Sequence, residues 1–410
     1  MDSYLDEKGQ RNLETYLNHI GEVLGNDGRR ASFALYAMGL FGDGERKSVE
    51  PIVARTCPTP LDTERAQDRV LHFLVDARWS DREVRREAAC EAVGAMTERA
   101  PVESWIIDDT GFIKQGRHSV GVQHQYTGTV GKQTNCQLGV SLSLSTHQEH
   151  VPVDFELYLP ACWTEDKKRR QEARIPDDIV FRTKPELAIQ MLKRAREDGF
   201  PPGMVLSDTA YGNSGAFRRD VRALDLCYGV AVQGTTKVFC TDRLGRRRGD
   251  AISVGELSLK LPEKKYRRVT WRDGTKQKLW SRFARLRIVP FYDDKTPEAE
   301  REEDQWLVCE WERGEPAPTK FYFVTLPRDV SMKSLVRHIK ERYRTERMYE
   351  EVKGELGLDH YEGRRYPGWH HHVSVVLCCY AFLVAERCRL FPPQVRRAKP
   401  QAPGPLRLAA

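Results

Sequence analysis

Hydrophobic and polar positions follow two different periods along this 410-residue chain. In the first hundred residues, apolar side chains recur three and four positions apart, as at Leu13, Tyr16, Leu17 and Ile20. That spacing places them on one face of a helix. From about residue 104, short apolar runs bounded by turn residues alternate with further helical stretches. The pattern predicts a helical region over residues 1–100, followed by an α/β layer.

The first two strands are predicted within residues 104–144. Residues 104–107 are Ser-Trp-Ile-Ile, and Asp108 and Asp109 follow directly. In residues 136–144 every second residue is apolar, which is typical of a half-buried strand. We expect the first strand to end at the two acids, which would then lie at the rim of the sheet. The alternative is a turn that begins at Asp108 or Asp109, because Asp-Thr-Gly is also a common turn sequence.

A helix followed by a strand is predicted for residues 183–208. Thr183 and Glu186 have the spacing of a capping box, and Pro185 stands near the helix start. The helix is expected to end at Gly199, and residues 204–207 form an apolar strand that leads to Asp208. Asp208 therefore also follows a strand, and the alternative is that it begins a turn.

The segment of residues 226–325 has a different character. Its short apolar runs, at residues 230–232, 285–289, 306–308 and 321–324, predict a β-rich insertion. Basic side chains form three clusters there: Arg246, Arg247 and Arg248; Lys264, Lys265, Arg267 and Arg268; and Arg282, Arg285 and Arg287. Aromatic residues stand among them, namely Trp271, Trp280 and Phe283, a mixture that suits phosphate contact with some stacking. A solvated outer face explains the clusters equally well.

Two more helices are predicted near the end of the chain. One runs over residues 330–356 and the other, strongly apolar, over residues 373–383. Residues 391–410 are rich in Pro, Arg and Ala, a composition that predicts a disordered basic tail.

The composition is that of an ordinary soluble globular protein. Hydrophobic residues make up 40% and charged residues 30% of the chain, and the net charge of +7 is compatible with nucleic acid without being diagnostic. No run approaches the roughly 20 apolar residues of a membrane span, and the amino terminus lacks a signal-peptide pattern. Ten cysteines without a Cys-x-x-Cys pair indicate reduced thiols. We therefore expect a cytoplasmic protein without a membrane partner.

Acids that follow two strands and an acid on a late helix would form a three-carboxylate site if the strands pair. Carboxylate oxygens are hard ligands that suit Mg²⁺ or Mn²⁺, and two such ions support phosphoryl transfer. On the late helix, Glu346 and Lys353 are seven residues apart and share a face. Glu350, one turn beyond Glu346, is the alternative acid.

Three segments, residues 106–110, 205–212 and 342–353, resemble the DDE transposases of bacterial insertion sequences, in the cut-and-paste group with an RNase H-like core. That group has a signature of Tyr, two residues, Arg, three residues, Glu, six residues and Lys. Arg342, Glu346 and Lys353 match its last three members, whereas Ile339 stands at the tyrosine position. Residues 114–122, 157–160 and 357–362 are similar to the same subgroup. The resemblance covers roughly residues 30–385.

The resemblance implies an α/β fold with an RNase H-like core. The implied organisation is a helical, DNA-binding domain (1–100), the first part of the core (101–225), the β-rich insertion (226–328), the carboxy-terminal helices of the core (329–390) and the tail (391–410).

For the site, the resemblance implies that Asp108, Asp208 and Glu346 are catalytic and hold two Mg²⁺ or Mn²⁺ ions. Relatives carry Asp with Thr one or two positions later, so Asp109 is an alternative to Asp108; the two should point to opposite faces of a strand. Asp108 is preferred because it directly follows the apolar run.

The implied function is a DNA transposase that cleaves insertion-sequence ends and joins them to target DNA. The resemblance also implies cleavage through a DNA hairpin and a homodimer on paired ends. Arg342 and Lys353 would contact phosphates beside the scissile bond. A DDE-type nuclease without strand transfer and a domesticated protein that only binds DNA are the alternatives.

Other motifs are weaker. Residues 128–134 do not have the spacing of a phosphate-binding loop, and no Gly-x-Ser-x-Gly occurs. His370, His371 and His372 are consecutive, so on a helix they would point about 100° apart and would not share one zinc ion easily. We expect them to begin the last helix, near bound DNA.

Overall fold

The computed structural model describes residues 7–57, 59–274 and 278–390. The tail predicted over residues 391–410 lies outside the described residues. All ten cysteines lie inside them as free thiols. Within these ranges, no helix combines the length and the apolar character that crossing a membrane requires.

Five helices come first: α1 (Glu7–Glu22), α2 (Asp27–Phe41), α3 (Val49–Thr56), α4 (Pro60–Val75) and α5 (Asp81–Thr97). Asn26, Thr59 and Ser80 cap α2, α4 and α5 by accepting a backbone N–H with their side-chain oxygens. The apolar face predicted from Leu13 and Ile20 is buried. The helical region expected over residues 1–100 is therefore confirmed in its described part.

The next elements form the centre of the molecule. They are β1 (Ser104–Ile113), β2 (Gln123–Thr127), β3 (Lys132–Ser145), β4 (His150–Tyr158), α6 (Ala161–Thr164), α7 (Lys167–Ala173), α8 (Lys184–Glu197), β5 (Met204–Ser207), α9 (Thr209–Gly212), α10 (Gly215–Ala223) and β6 (Tyr228–Val232). The capping box of α8 forms as predicted between Thr183 and Glu186, and the helix ends before Gly199, whose φ of 79° suits glycine.

The central strands have the order β4-β3-β1-β5-β6. The pairs β1–β3 and β3–β4 are antiparallel, whereas β1–β5 and β5–β6 are parallel. β2 pairs with the amino-terminal part of β3. Together with the helices on the sheet, this order confirms the predicted α/β class with an RNase H-like core.

The predicted β-rich segment contributes β7 (Lys237–Thr241), β8 (Arg247–Ser253), α11 (Val254–Lys260), β9 (Arg267–Asp273), β10 (Lys278–Pro290), β11 (Gln305–Trp311) and β12 (Lys320–Val324). β12 pairs with β6, so these strands continue the central sheet in the order β6-β12-β11-β10-β7-β8, with β9 also on β10. The described part of the chain thus forms one sheet of twelve strands.

Three helices close the described part: α12 (Met332–Lys340), α13 (Tyr343–Gly354) and α14 (Tyr366–Leu390). The prediction of one helix over residues 330–356 is wrong, because the helix breaks at Glu341 and Arg342. The two parts pack on different surfaces: α12 lies on β9 and β6, and α13 lies against β1 and β4. α14 is longer than predicted and packs against α5 and β4, so one hydrophobic core extends from α1 to α14.

Two details of the predicted strands are also wrong. β1 does not end at the acids but continues to Ile113, because it remains paired with β3 along its whole length. β3 is buried on both faces from Cys136 onward rather than half-buried. The serines that alternate with its apolar residues are buried as well, as at Ser141 and Ser143. Ser141 contacts Tyr349 of α13.

Candidate active site on strands β1 and β5

Asp108 and Asp109 point to opposite faces of the sheet, as predicted from their adjacent positions. Asp108 Oδ2 accepts a hydrogen bond from Arg342 Nη1 at 2.6 Å, on the side of α13. Asp109 Oδ2 accepts from Lys184 Nζ at 2.8 Å and from the Tyr211 hydroxyl at 3.2 Å, on the side of α8 and α9. The two acids therefore belong to different sets of neighbours.

Asp208 directly follows β5 and begins α9. Its Oδ1 accepts the backbone N–H of Ala210 at 2.9 Å, which is the bond of a helix amino-terminal cap. The turn interpretation of Asp208 is thus correct as a description of its backbone. It leaves the second carboxylate oxygen free of that cap, so the structural role does not exclude a catalytic one.

Glu346 lies in the first turn of α13, and its side chain is 60% exposed. Its Oε1 accepts from Arg342 Nη2 at 2.9 Å, while the other terminal nitrogen of the same guanidinium holds Asp108. Arg342 therefore bridges the first and third predicted acids. The alternative acid, Glu350, is exposed one turn further along α13, and no ion-pair partner lies near it among the described residues.

The rest of α13 is docked along β1. Lys353 Nζ donates to Thr110 Oγ1 and to the Gly111 carbonyl, both at 2.8 Å. The Tyr349 hydroxyl lies 2.5 Å from Ser141 Oγ, and Ser141 is the cross-strand partner of Asp108. Arg342, Glu346, Tyr349 and Lys353 thus follow one face of the helix, as the spacing predicted. Lys353, predicted to contact DNA, has intramolecular partners here, and its burial lowers its pKa.

Asp108 and Asp208 ionise less readily than free carboxylates. Burial raises the pKa of Asp108 to about 7; Arg342 lowers it, and the charges of Asp208 and Asp109 raise it further. The pKa of Asp208 is also raised, first by burial and then by Asp109. Clustered carboxylates with raised pKa values are a frequent property of catalytic sites.

The donor chemistry fits a hard divalent cation. Asp108, Asp208 and Glu346 offer carboxylate oxygens, and a cation would favour the charged form of Asp108 against its burial and against the repulsion from Asp208. Among the described residues, however, no three His, Cys, Asp or Glu side chains are arranged as a metal-binding group. Arg342 lies between two of the acids instead, so its positive charge balances them in this arrangement.

The basic cluster of Lys264, Lys265, Arg267 and Arg268 is exposed at β9 and the turn before it. The Arg268 guanidinium lies 4.1 Å from the centre of the Trp280 ring. Trp271 and Phe283 contact each other edge to face on the opposite side of the sheet, below α12. Cations and one tryptophan are therefore combined at the surface, whereas Phe283 is a core residue and Trp271 is half-buried against the same cluster.

The three consecutive histidines lie in α14, which begins at Tyr366 and not at the histidines as predicted, and all three are buried. His371 Nδ1 lies 2.7 Å from the Leu74 carbonyl, and His372 Nδ1 lies 2.9 Å from the Tyr36 hydroxyl. They join α14 to the amino-terminal helices, and the expectation that they lie near DNA stays a prediction.

Sequence reasoning missed Lys184 and Tyr211 as neighbours of the acids. Lys184 is the first residue of α8, beside the recognised capping box, and Tyr211 lies in the segment that carries Asp208. Nothing in the local pattern distinguishes them, because their contact with Asp109 arises only when α8, α9 and β1 come together.

Comparison with known proteins gives the family. The sequence model of a family described as DDE superfamily endonuclease matches residues 19–278, well over half of the chain. The chain belongs to this family. A second model, described as transposase DDE domain, matches residues 182–382. The first match includes Asp108 and Asp208, and the second includes Asp208 and Glu346. The predicted membership of the DDE superfamily, and with it the prediction of an enzyme, is confirmed at the level of the family.

A relative supports the same assignment. The probable transposase for insertion sequence element IS701 of Microchaete diplosiphon is 30% identical over 203 residues. That alignment covers 49% of this chain and 48% of the relative, so it spans about half of each protein.

Proposed function

We propose that this DDE superfamily member is a DNA transposase that cleaves the ends of an insertion sequence and joins them to target DNA. The observation that carries the proposal is the bridge of Arg342 between Asp108 and Glu346, beside Asp208 at the end of β5. The bridge joins the first and the third predicted acid, and the charge of Asp208 acts on both Asp108 and Arg342. The name of the IS701 relative supports the same substrate class.

Asp108, Asp208 and Glu346 are the residues that would hold two Mg²⁺ or Mn²⁺ ions. Bound divalent metal supplies activation of the attacking hydroxyl and stabilisation of the leaving oxygen in phosphoryl transfer. Because carboxylates must be ionised to bind metal, the raised pKa of Asp108 makes this affinity depend on pH. Asp208 is already oriented by its cap to Ala210, which reduces the freedom lost when it acts as a ligand.

The DNA contacts in this proposal come from cations around the acids. Arg342 lies closest to them, and its planar guanidinium suits a phosphate beside the scissile bond. Lys353 would reach a phosphate only by exchanging its bonds to Thr110 and Gly111. Lys264, Lys265, Arg267 and Arg268 are exposed at the surface, where they would follow a DNA backbone. The proposal includes double-stranded DNA as partner, a homodimer on paired ends, and the cytoplasm as the place of reaction.

One assay tests the proposal. End-containing DNA is incubated with the protein in Mg²⁺ or Mn²⁺, and nicking, hairpin formation and joining to target DNA are followed separately. Asp108→Asn should abolish all three, whereas Asp109→Asn should retain more activity because Asp109 faces Lys184. Cleavage without joining would indicate a nuclease, and binding without cleavage would indicate a DNA-binding protein; either result overturns the proposed function.

A further inference from the structure

A buried ion pair joins β11 to the end of α12. Lys340 Nζ lies 2.6 Å from Glu310 Oε2, and the Glu310 side chain is fully buried whereas that of Lys340 is 15% exposed. β11 lies between β10 and β12, so the carboxylate is held by an interior strand of the sheet. A buried carboxylate is costly without a partner, so this one restricts where the Lys340 ammonium can lie.

Aromatic rings complete the surroundings of this ammonium. Lys340 Nζ lies 4.7 Å from the centre of the Trp271 ring, with Phe283 and Tyr322 within 6 Å. The Tyr322 hydroxyl donates to the same carboxylate oxygen of Glu310 at 3.0 Å. Cation–π attraction and the ion pair therefore act on one amino group. Sites of this kind favour one position of the side chain.

The pair lies next to the candidate active site along the chain. Lys340 is the last residue of α12, and Arg342, which bridges Asp108 and Glu346, is two residues further on. Tyr343, the first residue of α13, is covered in turn by the Arg272 guanidinium of β9 at 3.8 Å. The short junction between α12 and α13 is thus held on both sides of Arg342 by strands of the β-rich segment.

We propose that Glu310 and Lys340 are positioning residues: their ion pair holds the α12–α13 junction so that Arg342 and Glu346 meet Asp108. The inference rests on the proposed function for its effect on DNA cleavage. A purely stabilising role is a weak explanation, because replacing a buried pair with apolar residues of similar volume is often neutral or even stabilising. The ion pair and the ring of Trp271 instead fix the position of the Lys340 side chain at the end of α12.

The test replaces the pair without leaving a buried polar group alone. The apolar variant carries Glu310→Met, Lys340→Met and Tyr322→Phe, so that no partner of the carboxylate remains. The matched control carries Glu312→Gln and Lys320→Met, which removes the exposed 2.8 Å pair at the ends of the neighbouring strands. Should the apolar variant not fold, Lys340→Gln keeps a donor for Glu310 and removes only the charge.

Two quantities are measured on the folded variants. We expect the apolar variant to bind end DNA with an unchanged Kd and to cleave it about 10- to 100-fold more slowly at saturating DNA, because small displacements of catalytic groups cost that much. Backbone amides of residues 341–348 should exchange hydrogen at least about tenfold faster than in the wild type. The control should match the wild type in both.

The outcomes separate this inference from the proposed function. A folded variant with unchanged exchange at the junction overturns the inference, and so does faster exchange with wild-type cleavage. If the wild type itself does not cleave in Mg²⁺ or Mn²⁺, the proposed function fails, and the exchange measurement alone decides whether the pair holds the junction.

Discussion

Ile106 of β1 and Leu206 of β5 are neighbours in the parallel pairing of the two strands. Asp108 and Asp208 each lie two residues beyond this pair, where β1 continues straight and the chain after β5 turns into α9. In parallel strands, residues that lie the same number of positions beyond a paired residue are again neighbours. The approach of the two acids is therefore a consequence of strand register, and substitutions at the acids need not disturb it.

Replacing Asp208 should separate its two roles. Asp208→Ala removes both the carboxylate and the cap of α9, and loss of the cap costs about 1 kcal/mol of stability. Asp208→Asn retains an acceptor for the Ala210 N–H and should be nearly as stable as the wild type. Both variants should bind end DNA and lose cleavage. Chemical unfolding and Mg²⁺-dependent cleavage check this, and substantial cleavage by folded Asp208→Ala contradicts the assignment of Asp208.

Asp108 should lower the stability of the metal-free protein as the pH rises from about 4 to about 7. The pKa of Asp108 rises from 3.8 to about 7 in the folded protein, because burial disfavours its charged form. The folded state therefore binds this proton more tightly than the unfolded chain, and the free energy of unfolding decreases as the pH rises through this window. Asp208, whose pKa is also raised, contributes in the same direction. The total effect is on the order of 1–4 kcal/mol.

Urea unfolding between pH 4 and pH 8 measures this effect. The contribution of Asp108 is the difference between the wild type and Asp108→Asn, since an amide does not titrate. His150 and His372, whose pKa values burial lowers, change the stability in the opposite direction in both proteins. Added Mg²⁺ should reduce the contribution of Asp108 by favouring the ionised carboxylates. An equal pH dependence in Asp108→Asn and the wild type shows that another group is responsible.

The elements that the sequence predicts correctly are those that depend on residues close together in the chain. The helix at Thr183 and the strand before Asp208 depend on neighbouring residues, so periodicity and capping predict them. The end of β1 does not depend on neighbouring residues. Its two acids are typical of a strand end, but pairing with β3 extends the strand to Ile113. The break between α12 and α13 at Arg342 cannot be predicted from the local sequence either, because it arises from the different surfaces on which the two helices pack.

The same distinction applies to the candidate site. The order and spacing of Asp108, Asp208 and Glu346 indicate a three-acid site, because the family resemblance records which segments meet. The partners of these acids are set by tertiary contacts. Lys184 and Tyr211 reach Asp109 only because α8 packs on β3 and β4 and α9 packs on β5 and β6, and no spacing in the sequence predicts this packing.

The exposed cluster on β9 should determine part of the salt dependence of DNA binding. Neutralising Lys264, Lys265, Arg267 and Arg268 together should weaken binding and reduce the slope of log K against log salt by up to about 0.9 for each DNA phosphate that the protein no longer neutralises. For a matched comparison, Lys264→Gln with Lys265→Gln is set against Lys167→Gln with Lys168→Gln, two exposed lysines of α7. An unchanged slope in the fourfold variant, or equal slopes for the two pairs, favours a solvated face without a DNA role.

Glu346, rather than Glu350, should complete the set of catalytic acids. The two lie one turn apart on α13, about 6 Å along its axis. Only Glu346 shares Arg342 with Asp108, and its position follows from the docking of Tyr349 and Lys353 against β3 and β1. Since a carboxylate oxygen must approach Mg²⁺ to about 2.1 Å, a shift of one turn should not be tolerated.

Glu346→Gln keeps the shape of the side chain and removes its charge, so it should lose both cleavage and strand transfer while the protein remains folded. Glu350→Gln, at an exposed position, should retain most of both activities and serves as the matched control. The two variants are compared with pre-formed end complexes in Mg²⁺, so that differences in DNA binding do not enter. If Glu350→Gln is the inactive variant and Glu346→Gln is active, the third acid is Glu350, and the bridge through Arg342 has only a structural role.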